Sequence, residues 1–590
     1  MLRIASIPAV LVLLVIASLY WSGMGGTQRA DFAFINRGDI YTLDLNQMSY
    51  MQDFRLTYGI REGLYAPDPE TLRPVPAGAM SSETSPDGRV WTFHLRPQAK
   101  WSNGDPVTAH DYVFSWRRFL EEPGEYTYLF YYIKGAQAYE NACTAYYAEP
   151  DKHPRPDFAS VGAQAVDSLT LRVTLNDPVP FFLELLAFPP FYPRNEKSME
   201  PFKVIQNEQT GQYAYRTEYT RPPDVVTNGP FNLVRWDYKR RLILKKSDTY
   251  WDRANVKSNS IEMVVSENPL SQFLIYETGE VDWQSDVPGD LGAELRAKGR
   301  TDLRTSPAFG TAFLTFLCRP NLPDDLGGKP NPLADIRVRQ ALAMAIDKQV
   351  IVDTVTRMGE LPARTYLPPD GTLPDFRFKP GPFDSRKESY TDVEVRKLLS
   401  EKPTDAGPGL PYNVERARKL LAEAGYPDGK GFPPLPIVFN TDSPVRPKIV
   451  QVIKNQWKEK LGITIDIQSL EGKAYKERIS KKQYAIAPVA WYGDYPDMST
   501  FTDKYLSTSL QNDSDWQNKT FDELCYRATK EADPEKRVAL LSEAEHLIDT
   551  EVPIVPLYHY VNVSLSRDNV HGVRPNPRNV TIFKSVYVEK

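Results

Sequence analysis

Apolar and polar residues alternate with a period of two in several short stretches of the first half of the chain. Residues 90–96 are the clearest case, because an apolar side chain stands at every second position, which is typical of a half-buried strand. Residues 102–105 (Ser-Asn-Gly-Asp) indicate a tight turn, and Thr108 or Asp111 is suited to cap the helix that follows. A helix-like segment is predicted to end near residues 62–65. Comparable patterns predict further strands: residues 32–36, 169–175, 231–236, 242–244 and 261–265.

Helical periodicity dominates the second half. One long amphipathic helix is predicted over residues 335–358, because apolar side chains recur on one face and Gly359 follows. Asn413 is suited to cap a second helix over residues 414–424, and Gly425 is its predicted stop.

A strand–helix–strand order follows at residues 435–439, 447–460 and 463–467. Such an order predicts parallel strands, with a ligand site beyond their carboxyl ends. Two long stretches show no clear period: residues 195–224, which we interpret as an elaborated surface loop, and residues 378–410, which we interpret as an insertion.

The N-terminus has the pattern of an export signal. Met1-Leu2-Arg3 is a short basic start, and residues 4–21 form an apolar run. The run is near the lower length limit for crossing a bilayer, so the segment is predicted to be either cleaved or kept as an anchor.

Composition narrows the class of protein. A chain of 590 residues is long enough for more than one lobe, and a net charge of -5 argues against binding to nucleic acid, which needs a concentrated basic face. The three cysteines, Cys143, Cys318 and Cys525, are far apart and form no CxxC pair, so neither a zinc site nor a redox dithiol is indicated. At most one disulfide is predicted, and three small apolar core residues are favoured.

Signatures of catalysis are missing from the sequence. Each Gly-Lys pair is followed by Pro, Gly or Ala, so there is no P-loop, and neither a GxSxG elbow nor an HExxH pair occurs. Asp494 and Asp497 are close in sequence, but nothing makes them a glycosidase pair. We therefore predict no enzyme activity, no cofactor and no metal site.

Several sequence blocks, taken in order, resemble the signature of a known family. They are residues 87–111, Val-Thr-Asn-Gly-Pro-Phe at 226–231, Tyr-Trp-Asp at 250–252, and residues 335–341, 417–425, 491–496 and 551–558. The family is that of the extracytoplasmic oligopeptide-binding proteins of ABC importers (solute-binding protein family 5, the peptide, dipeptide and nickel type). The resemblance runs from about Gly38 to the C-terminus, with gaps at the insertions.

The resemblance implies an α/β, two-lobe periplasmic-binding-protein fold (type II-like) with an additional third domain and a two-strand hinge. Closure about the hinge encloses the ligand. The implied division is as follows: residues 1–30 are a signal peptide or membrane anchor, 31–61, 195–309 and 561–590 form lobe I, 62–194 form the extra domain packed on lobe I, and 310–560 form lobe II.

The resemblance also implies a binding site around Asp494. In peptide-binding members the aspartate at this motif position pairs with the free ammonium of the peptide, since a buried ammonium requires a carboxylate partner. Affinity then comes mainly from hydrogen bonds to the peptide backbone, which do not depend on side-chain sequence. Trp491 and Tyr492 are expected to line the adjacent pocket, and Gly493 belongs to the same motif. The alternatives are a solvated loop carboxylate for Asp494 and ordinary core positions for the two aromatic residues.

Other positions depart from the pattern of the family. Pro488 stands where some members hold the peptide carboxylate with a cation, so that contact is absent. Arg446 falls near another cationic anchor position, and a surface arginine at a helix start is its alternative. Gly472 replaces a tryptophan of close relatives, which would enlarge a side-chain pocket, and Ser49 replaces an acidic residue of some relatives. Tyr128 belongs to an aromatic run that either covers the cleft or joins the core.

The implied function is that of the substrate-binding component of an ABC transporter. It captures oligopeptides outside the cytoplasm and delivers them to permease subunits in the membrane. The protein is expected to be a monomer in the periplasm or on the extracytoplasmic face of the membrane, either free or anchored by residues 4–21. The alternatives are the same fold binding a sugar, a metal complex or haem, a membrane-tethered peptide sensor, and a secreted hydrolase. Peptide length and side-chain preference stay open.

Overall fold

The structure is a computed structural model that describes residues 29–368 and 409–590, except for the single positions 37, 70, 442, 444, 496, 510, 532 and 575. The predicted export segment and nearly all of the predicted insertion lie outside the described residues. Within these ranges, no helix combines the length and the apolar character needed to cross a membrane.

The strands are short in most places, and two of them are much longer than the rest. In chain order they are β1 (Phe32–Ile35), β2 (Tyr65–Pro67), β3 (Pro74–Pro76), β4 (Ala79–Thr84), β5 (Val90–Leu95), β6 (Ala163–Asp167), β7 (Thr170–Thr174), β8 (Lys203–Asn207), β9 (Gln212–Tyr215), β10 (Phe231–Asp237), β11 (Arg241–Lys246), β12 (Ser260–Val264), β13 (Trp283–Gln284), β14 (Leu303–Phe316), β15 (Leu361–Pro362), β16 (Pro436–Asn440), β17 (Asp466–Leu470), β18 (Ile486–Tyr492), β19 (Ile554–Ser566), β20 (Val570–His571) and β21 (Tyr587–Val588).

The α-helices lie mostly between these strands and cover the faces of the sheets. They are α1 (Met51–Ile60), α2 (Ala109–Glu121), α3 (Ala136–Ala148), α4 (Phe182–Leu186), α5 (Glu196–Met199), α6 (Pro269–Glu277), α7 (Gly289–Ala297), α8 (Ile336–Met344), α9 (Lys348–Ile351), α10 (Val414–Glu423), α11 (Arg446–Leu461), α12 (Gly472–Ser480), α13 (Ser499–Thr502), α14 (Lys519–Lys530) and α15 (Pro534–Glu551).

One mixed sheet of eleven strands runs through both lobes in the order β10-β11-β12-β1-β13-β19-β14-β18-β16-β17, with β15 beside β19. In lobe I, β1 is parallel to β12 and β13, and all four of its side chains are buried. In lobe II, β16 is parallel to β17 and β18, which confirms the predicted strand–helix–strand unit. Helices pack against β13 in lobe I and against β16 in lobe II, whereas β17 is a largely exposed edge strand.

The long strands β14 and β19 connect the two lobes. They are antiparallel partners, and β19 also pairs with β13 in lobe I while β14 also pairs with β18 in lobe II. The register between β14 and β19 shifts between Pro307 and Thr311. Proline has no N–H to give to the ladder, so pairing is weakened at the place where the strands pass from one lobe to the other. These strands are the expected two-strand hinge.

A separate antiparallel sheet, in the order β4-β5-β7-β6, forms the extra domain together with α2 and α3. Phe93 of β5 and Trp116 of α2 are buried in the same core as Phe34 of lobe I, so the extra domain packs on that lobe. Thr108 is the N-cap of α2, and its N–H donates to the carboxylate of Asp111 at 2.7 Å. Both predicted capping residues therefore act at this helix, one as the cap and one in its first turn.

Buried polar contacts with Glu62 join two of the signature blocks, those at residues 226–231 and 250–252. The side-chain oxygen of Asn228 accepts from the N–H of Glu62 at 3.1 Å, and its amide donates to the carbonyl of Glu62 at 2.8 Å. The Glu62 carboxylate is buried and accepts hydrogen bonds from the Tyr250 hydroxyl and the Trp251 indole N–H. Burial raises the pKa of Glu62 despite these donors. These parts of the family signature therefore stabilise the fold through buried hydrogen bonds to Glu62.

The prediction of one helix over residues 335–358 is wrong. The structure has α8, then α9, then a π-helical turn Val352–Thr356. The interruption lies at Asp347, which caps α9 by accepting from the N–H of Gln349 at 3.1 Å. A short acidic side chain competes for backbone N–H groups in this way and starts a new helix in the middle of an apolar pattern. Gly359 has φ +89° and ends the segment as predicted.

Residues 195–224 are also not a plain surface loop. They contain α5 and the hairpin of β8 with β9. Val204 and Ile205 of β8 are 44% and 52% exposed, so the strand has no buried face and leaves no period in the sequence. The missing alternation is the physical reason for the error.

All three cysteines are free, and no disulfide forms. Cys143 and Cys525 are buried, in agreement with their prediction as small apolar core residues, whereas Cys318 is half-buried. No disulfide therefore contributes to the stability of the fold.

We expect Asn228→Ala to lower the free energy of unfolding by about 2–4 kcal/mol, because it leaves the buried N–H and C=O of Glu62 without partners. Urea unfolding followed by circular dichroism measures this change. Asn255→Ala is the matched control, since its amide only contacts Asp252 at the surface. Equal effects of the two substitutions would contradict the role given to Asn228.

Candidate functional site

The motif at residues 491–494 lies at the end of β18, where that strand meets the hinge. Tyr492 is paired with Gly310 of β14, and the N–H of Gly493 donates to the carbonyl of Phe309 at 2.8 Å. A Cβ at Gly493 would lie 2.1 Å from the ring of Phe309. Gly493 is therefore needed for close approach of the motif to the hinge strand, and this places Asp494 beside the hinge.

Asp494 is the centre of the candidate site. Its N–H donates to the Thr500 hydroxyl at 3.0 Å, and its Oδ2 accepts from the Tyr128 hydroxyl at 2.6 Å. Tyr128 comes from a short 3-10 turn of the extra domain, so the hydrogen bond joins lobe II to that domain. Tyr128 is half-buried, packs against the core of the extra domain and directs its hydroxyl to lobe II.

Protein surrounds Asp494 on most sides, although part of its surface stays open to solvent. Burial raises the pKa of the Asp494 carboxyl to about 6. The Tyr128 hydrogen bond and the charge of Arg578 act in the opposite direction, and the charge of Glu125 adds to the rise. The site is thus a carboxylate held in surroundings that disfavour its charge.

Trp491 and Tyr492 have different surroundings. Trp491 is half-buried, its indole N–H donates to the carbonyl of Thr500 at 2.8 Å, and the ammonium of Lys504 lies 5.1 Å from its ring centroid. Tyr492 is 50% exposed and stacks on Tyr560, with the ring centroids 4.9 Å apart. Trp491 therefore packs against the loop that carries Asp494 and holds it through Thr500, whereas the ring of Tyr492 is exposed to solvent.

Arg446 and Gly472 lie on the β17 side of the motif. Arg446 is the first residue of α11; it donates to the side-chain oxygen of Asn440, and its guanidinium lies 5.8 Å from the ring of Tyr475. Tyr475 in turn donates to the carbonyl of Pro488 in β18 at 2.6 Å. Gly472 is the first residue of α12, the helix that carries Tyr475. The structure therefore brings Arg446 and Gly472 to one side of β18, through Tyr475.

Ser49 lies apart from this group. It is half-buried in the loop before α1, next to Tyr50, whose ring lies 4.5 Å from that of Tyr41. Among the described residues, no hydrogen bond joins Ser49 to the Asp494 loop.

Sequence reasoning missed the residues that hold the extra domain against lobe II. Phe181 stacks on Tyr495, with centroids 4.7 Å apart and an interplanar angle of 12°. The Tyr132 hydroxyl donates to Asp503 at 3.4 Å. Burial, followed by the nearby charge of Asp497, raises the pKa of Asp503 to about 7. Only the aromatic run at residues 126–132 gave a signal for this interface.

Three exposed ion pairs also reach across the cleft. They are Lys476–Glu125, Lys530–Asp177 and Lys448–Asp290, and each has a nitrogen–oxygen distance of 3.6 Å. The two sides of the cleft are therefore in contact, and the structure is closed.

Asp497 has a partner of a different kind. Its two oxygens accept from the guanidinium of Arg537 at 2.5 and 2.7 Å, and both residues are buried. Asp494 and Asp497 therefore do not act as a carboxylate pair. In the part of the chain that the structure describes, no group of three or more His, Cys, Asp or Glu side chains is placed to hold a metal ion.

Two α/β lobes joined by two strands, with a closed cleft at the joint, define the class of two-lobe solute-binding proteins. The family model described as bacterial extracellular solute-binding proteins, family 5 Middle, matches residues 73–513. The chain belongs to this family.

Individual relatives agree with this assignment. The chain is 31% identical over 514 residues to the oligopeptide-binding protein OppA of Bacillus subtilis (strain 168), covering 86% of this chain and 84% of that protein. Among solved structures, the murein tripeptide binding protein MppA of Escherichia coli has a TM-score of 0.72 at 26% identity, covering 96% of this chain and 99% of that one. OppA of Listeria monocytogenes bound to peptide has a TM-score of 0.69 at 28% identity, covering 95% and 99%.

We expect Asp494→Asn to stabilise the ligand-free protein at pH 7 and to have little effect at pH 4. The folded pKa of about 6 lies above the ordinary value for aspartate, so the folded state binds a proton more tightly, and stability is lost as the pH rises from about 4 to 6. Two pKa units correspond to about 3 kcal/mol, which solvent contact reduces to about 1–2 kcal/mol. Urea unfolding at the two pH values measures the difference.

Asp497→Asn is the matched control in the same loop. It leaves Arg537 as an unpaired buried charge, so we expect destabilisation of about 3 kcal/mol at both pH values. A gain from Asp494→Asn that is the same at pH 4 and pH 7 would show that ionisation of Asp494 is not its cause.

Proposed function

We propose that this protein binds oligopeptides in the cleft between its lobes and delivers them to an ABC permease in the membrane. The proposal includes no catalytic step, no cofactor and no resident metal. The names of the three relatives, all of which refer to a peptide or oligopeptide, support a peptide ligand.

The observation that carries the proposal is the contrast between Asp494 and Asp497. These carboxylates are three residues apart in one loop, and Asp497 is paired with Arg537. Asp494 instead accepts from a neutral hydroxyl, that of Tyr128, and its Oδ1 accepts no hydrogen bond from any described residue. No cation forms an ion pair with this carboxylate among the described residues, and the charge of Arg578, which donates to the main-chain oxygen, offsets its desolvation only in part.

An ammonium group of a ligand would supply that cation. It would donate to the open oxygen of Asp494 and restore the charged form that burial disfavours. The free amino terminus of a peptide is such a group, and it is present in every peptide whatever its sequence. Recognition at Asp494 would therefore suit a protein that binds many different peptides.

The rest of the ligand would lie along the lobe II wall. Tyr492 and Tyr560 offer stacked rings, and the guanidinium of Arg446 lies on the same side, beyond Tyr475. The helix that begins at Gly472 lacks a side chain at its first position, which leaves room for a ligand side chain. We propose Arg446 as the candidate contact for the peptide carboxylate.

The domain boundaries are part of the proposal. Residues 31–61, 195–309 and 561–590 would form lobe I, 62–194 the extra domain and 310–560 lobe II. The register shift of β14 after Pro307 supports a division near residue 309. We also propose that the protein acts as a monomer outside the cytoplasm, after export directed by residues 4–21.

The expected result for Asp494→Asn is a loss of affinity of about 100-fold or more for a tripeptide such as trialanine, because the peptide ammonium would lose its charged partner. Isothermal titration calorimetry at pH 7.5 measures the dissociation constants of the wild type and the variant.

N-acetyl-trialanine, which lacks the free ammonium group, serves as the second peptide. The wild type and Asp494→Asn, each measured with both peptides, form a double-mutant cycle. The wild type should bind it about as weakly as Asp494→Asn binds trialanine, and the variant should show no further loss. Equal affinity of the wild type for the two peptides would rule out recognition of the ammonium. Unchanged affinity in the variant would remove Asp494 from the site.

The chemical identity of material that co-purifies with the protein distinguishes a peptide ligand from the other ligands that this fold carries. Native mass spectrometry of protein purified under mild conditions, followed by denaturation, should release a mixture of short peptides. A single sugar, metal complex or haem would contradict the proposal, and cleaved products of added peptides would indicate a hydrolase.

A further inference from the structure

Arg578 lies in the segment between β20 and β21, on the lobe I side of the cleft. The segment is fixed at its base, because Val580 is buried in the lobe I core and its N–H donates to the side chain of Asn576 at 3.0 Å. The Asn562 amide of β19 donates to the carbonyl of Asn576 at 2.9 Å. Arg578 therefore extends from a loop whose position is set by its neighbours.

The guanidinium of Arg578 reaches across to lobe II. Its Nη2 donates to the main-chain oxygen of Asp494 at 3.1 Å. Its central carbon lies 6.0 Å from the ring centroid of Phe188, which belongs to the extra domain. Lobe I, lobe II and the extra domain therefore meet at this one cation.

A second route joins the same two loops. The N–H of Phe309 donates to the carbonyl of Pro577 at 2.7 Å, and the carbonyl of Phe309 accepts from Gly493 at 2.8 Å. The residues before Arg578 and before Asp494 are thus both tied to one residue of the hinge strand. With both loops fixed in this way, the guanidinium has little freedom to move away from Asp494.

We propose that Arg578 is a positioning residue of the binding site, which fixes the Asp494 loop through its main-chain oxygen and keeps the Asp494 carboxylate charged over the pH range in which ligand is held. The inference rests on the proposed function for the ligand that this charge receives. It goes beyond that function because it names Arg578, 84 positions away from Asp494, as the residue that controls the charge state of the site.

The electrostatics agree with this geometry. The charge of Arg578 lowers the pKa of Asp494, against burial and the nearby charge of Glu125, which raise it. The Tyr128 hydroxyl acts in the same direction as Arg578. The titratable or charged groups that interact electrostatically with Asp494 are Tyr126, Tyr128 and Glu125 from the extra domain, Tyr366 from lobe II and Arg578. Among the described residues in this set, Arg578 is the only cation.

The test needs no ligand in its first part. The free energy of unfolding is measured from pH 4 to pH 8 for the parent and for Asp494→Asn. The difference between the two proteins changes with pH as Asp494 ionises, and the midpoint of that change reports the pKa of Asp494. The cycle is repeated in the Arg578→Met, Arg578→Gln and Arg578→Lys backgrounds. We expect the midpoint of the difference to move up by about one pH unit with Met or Gln and to stay near the parent value with Lys.

Glutamine separates charge from position, since it keeps a donor for the Asp494 carbonyl, and it also serves if the methionine variant folds poorly. Arg574→Met is the control, because it removes an exposed arginine four residues earlier and should leave the midpoint unchanged. An unmoved midpoint in both neutral variants would overturn the inference.

Trialanine binding then tests the consequence for the ligand. We expect the pH at which affinity falls on the acid side to rise by the same amount in Arg578→Gln, while affinity at pH 8 stays within a few-fold of the wild type. A uniform loss of affinity at every pH would indicate a merely structural residue. A wild type that binds no peptide would defeat the proposed function, and the ligand-free cycle would still decide the role of Arg578.

Discussion

The pairing of β14 with β19 is the constraint on which the rest of the molecule depends. These strands are the middle of the only sheet that passes through both lobes in the described ranges, and each belongs to lobe I at one end and to lobe II at the other. Their ladder is shifted at Pro307, next to Phe309, which accepts from Gly493 and donates to Pro577. The register shift of the ladder and the backbone hydrogen bonds that attach the two loops of the site are thus close together in β14. Bending of β14 at this place therefore also moves the loop that carries Asp494.

The signature blocks in the first half of the chain lie apart from the candidate ligand site, whereas the block at residues 491–496 is part of it. Glu62 and Asn228 exchange two hydrogen bonds, and the N–H of Ser102 donates to the carbonyl of Thr227 at 2.7 Å, so the blocks at 87–111 and 226–231 bind the extra domain to lobe I. None of these contacts faces lobe II. Such blocks identify the class of protein because the fold requires them, and they do not distinguish one ligand from another.

The sequence predicted the parts of the fold that leave a local pattern. The strand at residues 90–96 and the parallel unit of β16 and β17 were readable because each buries one face or lies between two helices. The break at Asp347 and the hairpin of β8 were not, because the first is a competition between a carboxylate and a helix, and the second has exposed side chains. The 491–494 motif could be named as a candidate from the family resemblance, and Tyr128 as a member of an aromatic run.

The partners of the site could not be predicted. Tyr128 meets Asp494 from 366 residues away, and Arg578 meets it from 84 residues away, and no spacing in the sequence records either contact. Only the folding of three domains around one hinge brings them together. Whether the carboxylate itself is paired with a cation, as that of Asp497 is with Arg537, or only has a cation nearby, as that of Asp494 has in Arg578, depends on these long-range contacts.

The ion pairs across the cleft have a consequence of another kind. Lys476–Glu125, Lys530–Asp177 and Lys448–Asp290 are exposed, and pairs of this kind contribute little each and are screened by salt. The screening length falls from about 10 Å at 0.1 M salt to about 3 Å at 1 M, whereas the buried stack of Phe181 on Tyr495 is hardly affected. Higher ionic strength is thus expected to weaken these contacts across the cleft without changing the binding residues. The surrounding medium helps to set how often the empty cleft stands open.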